Sequence, residues 1–176
     1  MASRQAGGKA GQWVVVWVEV EPLADHARHD VAAVREEFDR VFDTSGGVAE
    51  ETTGSAVVVG CFAEPAAAVE AAVLGQWAVQ RREPHPGVKA RVGIHLAAAR
   101  AMSAEGAAAL CAMANGNQIV VSGPVDTATG GTLDARPMGM VALAPTADPV
   151  QVWLMTDSRT DVDRRPLRLD VDEPPR

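Results

Sequence analysis

Runs of apolar residues along this chain switch between strand-like and helix-like spacing, and the switches mark out the elements. Trp13-Val14-Val15-Val16-Trp17-Val18 is β-branched and aromatic almost without a break, the pattern of a strand covered on both faces. It turns acidic at Glu19 and Glu21. Pro22 follows where a helix is expected to begin, since its fixed φ suits a first turn and its missing N–H costs nothing there. Val31, Val34, Phe38, Val41 and Phe42 recur at helical spacing as one apolar stripe. Arg28, Arg35, Glu36, Glu37 and Arg40 take the opposite face, which should be solvated, and Ser45-Gly46-Gly47 ends the helix.

The stretch from Gly46 to Leu96 organises the rest. Thr52-Thr53-Gly54-Ser55-Ala56 reads as a tight hairpin turn, and Val57-Val58-Val59 is too apolar for a half-exposed strand. Pro65 opens a helix over about residues 65–81, with Val69, Val73, Trp77 and Val79 toward the sheet and Ala66, Ala67, Ala68, Ala71 and Ala72 permitting close backbone approach. Pro84 and Pro86 stop it, and Val88 to His95 forms the next strand. Residues 97–114 are again Ala-rich and helical, closed by Asn115-Gly116-Asn117 as a left-handed cap. Ile119-Val120-Val121 is a short buried strand, and a brief helical turn runs from Ser122-Gly123-Pro124 to Gly130-Gly131. Thr132 to Leu143 and Val150 to Met155 complete the sheet as an antiparallel pair. This order predicts an α+β domain over residues 12–156. Its expected architecture is a ferredoxin-like βαββαβ sandwich, with an antiparallel-dominated central sheet and helices on one face. Residues 1–11 read as a flexible leader, and residues 157–176 as a polar tail that is disordered or ordered by a partner.

A chain of 176 residues that is 47% hydrophobic can bury a core as one domain without staples. The net charge of −7 argues against nucleic acid and against an anionic membrane surface as partners. Cys61 and Cys111 sit in apolar stretches without signature spacing, as expected for buried free thiols in a reducing compartment, although a disulfide between them stays open. No signal-peptide pattern and no span-length apolar run is present, so the expected location is the cytoplasm, with no membrane insertion.

Four stretches carry a resemblance: Glu51-Thr52-Thr53-Gly54-Ser55-Ala56, Arg91-Val92-Gly93-Ile94-His95, Asn117-Gln118-Ile119-Val120-Val121-Ser122 and Pro149-Val150-Gln151-Val152-Trp153-Leu154. In this order and at these separations, the region from about residue 13 to residue 156 resembles the catalytic domain of class III adenylate/guanylate cyclases. Four weak motifs in register speak for the fold more than for the activity. The resemblance implies cyclisation of a nucleoside triphosphate on two divalent cations, held between two carboxylates that offset their charge. It also implies a head-to-tail dimer with shared sites.

The positions that would carry this chemistry depart from the family pattern. Glu19 stands at the first metal carboxylate, on a longer stem, but Ser55 stands at the second and supplies no charge. Pro22 replaces the glycine whose backbone lets a phosphate approach the first helix, and Asp25 follows in its first turn. Glu51 reverses the charge of the base-recognising lysine. Glu105 and Ala109 replace the Asn and Arg that meet charge developing in the transition state. The segment between His95 and that helix is also several residues short of the family's extended arm.

Other polar residues carry less. His26 and His29 are three apart on the first helix but lack a third ligand in view, which favours a charged solvated turn over a metal clamp. His85 reads as exposed loop, and His95 as a hydrogen-bonded structural residue rather than a base. Glu19, Glu21 and Glu51 could gather into an acidic site for one cation, or stand as separately solvated carboxylates.

The expected function is a catalytically inactive cyclase-like domain serving as a dimerisation or regulatory protein-interaction module. Its partner would be a second copy or another cyclase-like chain, with the acidic tail as a further protein-binding segment. The alternatives are a small-molecule sensor in a remodelled cleft, which the Ala-rich residues 97–109 would permit, and a weak nucleotidyl cyclase. No cofactor is expected, with Mg²⁺ or Mn²⁺ needed only for residual activity.

Overall fold

Strand β1 (Trp13–Pro22) lies in the interior of a seven-stranded sheet because its residues are apolar on both sides. Val14, Val16, Val18 and Val20 point to one face, while Val15 and Trp17 point to the other. The computed structural model describes residues 12–23, 28–52, 54, 56–81, 87–163 and 165–168. The remaining elements are α1 (Arg28–Thr44), β2 (Val48–Glu50), β3 (Val57–Phe62), α2 (Pro65–Gln80), β4 (Val88–Ala97), α3 (Arg100–Met113), β5 (Ile119–Ser122), α4 (Gly123–Ala128), β6 (Ala135–Val141) and β7 (Val150–Met155).

The strand order is β2-β3-β1-β4-β5-β7-β6. Neighbours are antiparallel except β4 and β5, which are parallel and therefore need the crossover that α3 provides. The expected α+β fold with an antiparallel-dominated sheet is what forms. One detail differs: the helices do not all lie on one face.

Helices α1 and α2 cover the face of Val14, Val16 and Val18. Phe38, Phe42 and Phe62 meet there edge to face, with ring centroids 5.8 and 5.5 Å apart. Gly75 and Gly60 leave the room that the rings of Phe38 and Phe42 fill. Each such ring or Val, once buried, stabilises the fold by about 1.5–3 kcal/mol.

Helix α3 covers the opposite face, over Val15, Val59 and Cys61 through Ala107, and over Val120, Val152 and Leu154 through Leu110 and Ala114. Gly93 makes this second layer possible. A Cβ there would lie 2.1 Å from the Ala107 carbonyl oxygen and 2.4 Å from the Cys111 nitrogen, so the helix backbone rests directly on the strand.

Three local expectations are corrected. Pro22 ends β1, opposite Val88 of β4, rather than opening a helix, so the extended ladder continues past the acidic residues. Trp77 faces outward, 37% exposed with the Arg81 guanidinium over its ring, and the fully buried Gln76 takes the inner position. Arg35 is not simply solvated: it donates to Thr52 Oγ1 at 3.0 Å and to the carbonyls of Gly54 and Val57 at 2.9 and 3.1 Å. The left-handed residue foreseen after α3 is Asn117, at φ 67°. Both cysteines are buried and free, and burial pushes the Cys61 thiol up to about 11.

The described part of the segment after β7, residues 157–163 and 165–168, is in contact with the domain. Arg159 pairs with Glu70 of α2 and with Asp157, and Gln80 exchanges hydrogen bonds with Asp161. Leu167 is 8% exposed and packs with Leu110, Ala114 and Val120. The segment is largely polar by composition, yet its backbone finds partners and its apolar residues Leu167 and Val162 pack against the domain. No helix among the described residues is long and apolar enough to cross a membrane.

Two substitutions measure these contacts. Gly93→Ala forces a methyl group into the α3 backbone and should lower the unfolding free energy by about 3 kcal/mol, the upper end for overpacking. Leu167→Ala should cost about 2 kcal/mol. Both are read as shifted urea midpoints at unchanged slope, and a Leu167→Ala midpoint equal to the parent's would contradict the packed tail.

Candidate functional site

Glu19, Trp17 and Glu21 are two residues apart on β1, so all three side chains emerge on the face that α3 covers. The antiparallel register sets Glu19 directly opposite Arg91 of β4. The Arg91 guanidinium donates to Glu19 Oε2 through Nε at 3.1 Å and through Nη2, and its Nη1 lies 3.1 Å from Glu21 Oε1. The other Glu19 oxygen accepts from the Trp17 indole at 3.3 Å. Burial works against the charge on Arg91, but the hydrogen bonds and charge of Glu19, with Glu21 beyond, outweigh it and hold the guanidinium protonated more firmly than usual. Glu21 is shared with a second arginine, Arg168, whose Nη1 lies 3.0 Å from Oε1.

The other positions carried over from the sequence are not brought to this point. Glu51 is exposed in the connection from β2 to β3, and Ser55 lies outside the described residues, as do Asp25, His26, His85 and the side chain of His29. The described part of the connection is pinned by Arg35, and Thr52 Oγ1 donates to the Val57 carbonyl at 2.7 Å. On α3, Glu105 is exposed and Ala109 is half-buried.

A divalent cation at Glu19 would have to compete with Arg91. Such ions need anionic oxygens with free lone pairs. Both oxygens of Glu19 are engaged by Arg91 and Trp17, so an incoming cation would meet a guanidinium already in contact with its ligand. Among the described residues no group of three His, Cys, Asp or Glu side chains could hold a metal ion.

The clefts lie elsewhere. One of about 760 Å³ is lined by Gln80, Arg81, Lys89, Asn117 and Arg159, at the end of α2. Another of about 580 Å³ is lined by Ala97, Ala98, Met140 and Gln151. Neither is lined by Glu19, Glu51, Glu105 or Ala109.

His95 and Ser122 form a second polar pair under α3. The His95 Nδ1 and the Ser122 Oγ are 2.8 Å apart, Ser122 is fully buried, and a Cβ on Gly106 would lie 2.2 Å from the imidazole ring. No substrate could reach this serine, so the pair fastens β4 to β5 under α3, as expected of a structural histidine. Burial lowers the His95 pKa.

Sequence reasoning missed Arg35, Arg91 as the partner of Glu19, and Arg168. The Arg91 pairing follows only once the strand register is known. The signal for Arg168 was weak, since Leu167 beside it is one of several apolar residues, with Val162, Leu169 and Val171, scattered through a largely polar run.

His95 also sets a pH dependence. Its folded pKa lies below the ordinary 6.5, so the unfolded chain takes up a proton first as pH falls. Stability at this site is complete above about pH 6.5 and declines as pH drops through the window beneath it. Urea midpoints taken from about pH 7.5 to about pH 5.5 should fall in the parent and change less in His95→Gln. Equal slopes would contradict the assignment.

No protein-family profile matches the sequence, and neither does any curated protein. Solved structures do match. Adenylate cyclase from Trypanosoma brucei, studied in its monomeric state, superposes with a TM-score of 0.78 at 16% identity, over 95% of this chain and 99% of that one. The adenylyl cyclase CyaB from P. aeruginosa gives 0.66 at 16% identity, over 86% and 97%. The non-canonical dimeric guanylyl cyclase domain of the RhoGC fusion protein from Blastocladiella emersonii gives 0.67 at 11% identity, over 83% and 96%. At such identities the likeness speaks for architecture, and the chain has the fold of a class III adenylate/guanylate cyclase catalytic domain.

Proposed function

We propose that this protein is a catalytically inactive cyclase-fold domain that works as a dimerisation or regulatory protein-interaction module in the cytoplasm, without a bound metal. The observation that carries the reading is the pair Glu105 and Ala109 on α3, which offer neither an amide nor a guanidinium to a reacting phosphate. Further support comes from Glu19, whose carboxylate is engaged by Arg91 and Trp17. The pairing partner would be a second copy or another chain of the same fold, as in the dimeric fungal guanylyl cyclase domain. Because residues 157–163 and 165–168 are engaged with their own domain through Leu167 and Arg159, a protein-binding role for the acidic tail falls to the residues after them.

Purified protein incubated with each nucleoside triphosphate and Mn²⁺ should form no more cyclic nucleotide than a Glu19→Ala control. Product above that control would overturn the reading in favour of a weak nucleotidyl cyclase. The mass in solution, alone and mixed with a cyclase-fold partner, tests the module role, and a monomer under both conditions would contradict it.

A further inference from the structure

The described segment after β7 reaches the same carboxylates. Gln118 is fully buried, and its Nε2 donates to the carbonyls of Asp163 and Arg165, each at 2.8 Å. Asn115 Nδ2 donates to the Pro166 carbonyl at 2.8 Å, and the Arg168 backbone N–H donates to the Met113 carbonyl at 2.7 Å. Leu167 fills an apolar recess beneath these bonds. Arg168 is thereby aimed at the end of the sheet, where its Nε donates to Asn115 Oδ1 at 3.1 Å and its Nη1 reaches Glu21. Two carboxylates, Glu19 and Glu21, thus meet two guanidiniums, Arg91 and Arg168.

We propose that residues 157–163 and 165–168 form an intramolecular strap that carries Arg168 onto Glu21 and, with Arg91, occupies the acidic end of the sheet against divalent and trivalent cations. The inference rests on the placement of Glu19 at the family's first metal carboxylate. The amide donors of a buried Gln are costly to leave unpaired, so Gln118 and Asn115 hold the strap in one place. A fixed positive charge on Glu21 repels an incoming cation, whereas a mobile one would simply be displaced.

Terbium(III) tests this, because it binds carboxylate oxygens and emits when a nearby indole is excited. Trp17 touches Glu19 and supplies that indole. The full chain should show no emission that depends on Trp17, judged against Trp17→Phe. Arg168→Gln should show such emission and bind Tb³⁺ about tenfold more tightly or better, as expected for removing one adjacent like charge. A further Glu21→Gln change should abolish it. Arg168→Met, which keeps the apolar stem, gives the same readout should the Gln variant melt early. Equal Trp17-dependent emission in the full chain and in the Arg168 variants overturns the strap, as does its absence from folded Arg168 variants. A chain that lacks cyclase activity yet binds Tb³⁺ as its Arg168 variants do overturns the strap alone and leaves the inactive reading standing.

Discussion

The register between β1 and β4 is the constraint on which the site depends. Ten consecutive pairs, from Trp13 opposite Ala97 to Pro22 opposite Val88, fix which residues share the face beneath α3. That register sets Glu19 against Arg91, Trp17 against Gly93 and Val15 against His95. The first pair joins opposite charges, the second lets a helix backbone touch the sheet, and the third places an imidazole within reach of Ser122. A slip of one residue would turn every one of these side chains to the other face, into the layer of Phe38 and Phe42. Valines packed on both sides of β1 make such a slip expensive, because each would leave a fitted site.

Within that frame the acidic end of β1 is met by side-chain cations. A half-buried carboxylate must be compensated. Here guanidiniums from β4 and from the residues after β7 provide that compensation. A guanidinium presents several donors in a fixed plane and satisfies more than one oxygen at once, as Arg91 does. The pair is only partly screened by solvent, with 17% of the Arg91 side chain exposed, so its geometry is held rather than averaged.

Much of the fold was legible because the patterns are strong. The valine run of β1, the helical stripe from Val31 to Phe42 and the Asn117 turn were found where spacing placed them. The second helical layer was not legible. Residues 97–114 show an Ala-rich helix but not the side of the sheet it takes, and the decisive contact is a glycine, Gly93, whose part is defined by what it lacks. Trp77 departs from expectation because helical spacing marks an aromatic residue as core, whereas it is the amide of Gln76 that is buried, with a hydrogen bond to Asn117 at 3.1 Å. At the site, the acidic end of β1 was legible and the arginines that meet it were not. Residue 168 is far from residue 21 in sequence, and composition alone marks that region as loop.

The margins of the sheet carry a different consequence. One border is β2, three residues long, and the other is β6, where Pro137 withholds a donor and the pairing shifts register before Gly139 at φ +108°. Neither border offers a straight row of amides to a visiting strand. Self-association by sheet extension, the common route to fibrils, is therefore blunted at both ends, and assembly is left to side chains on the faces and helices.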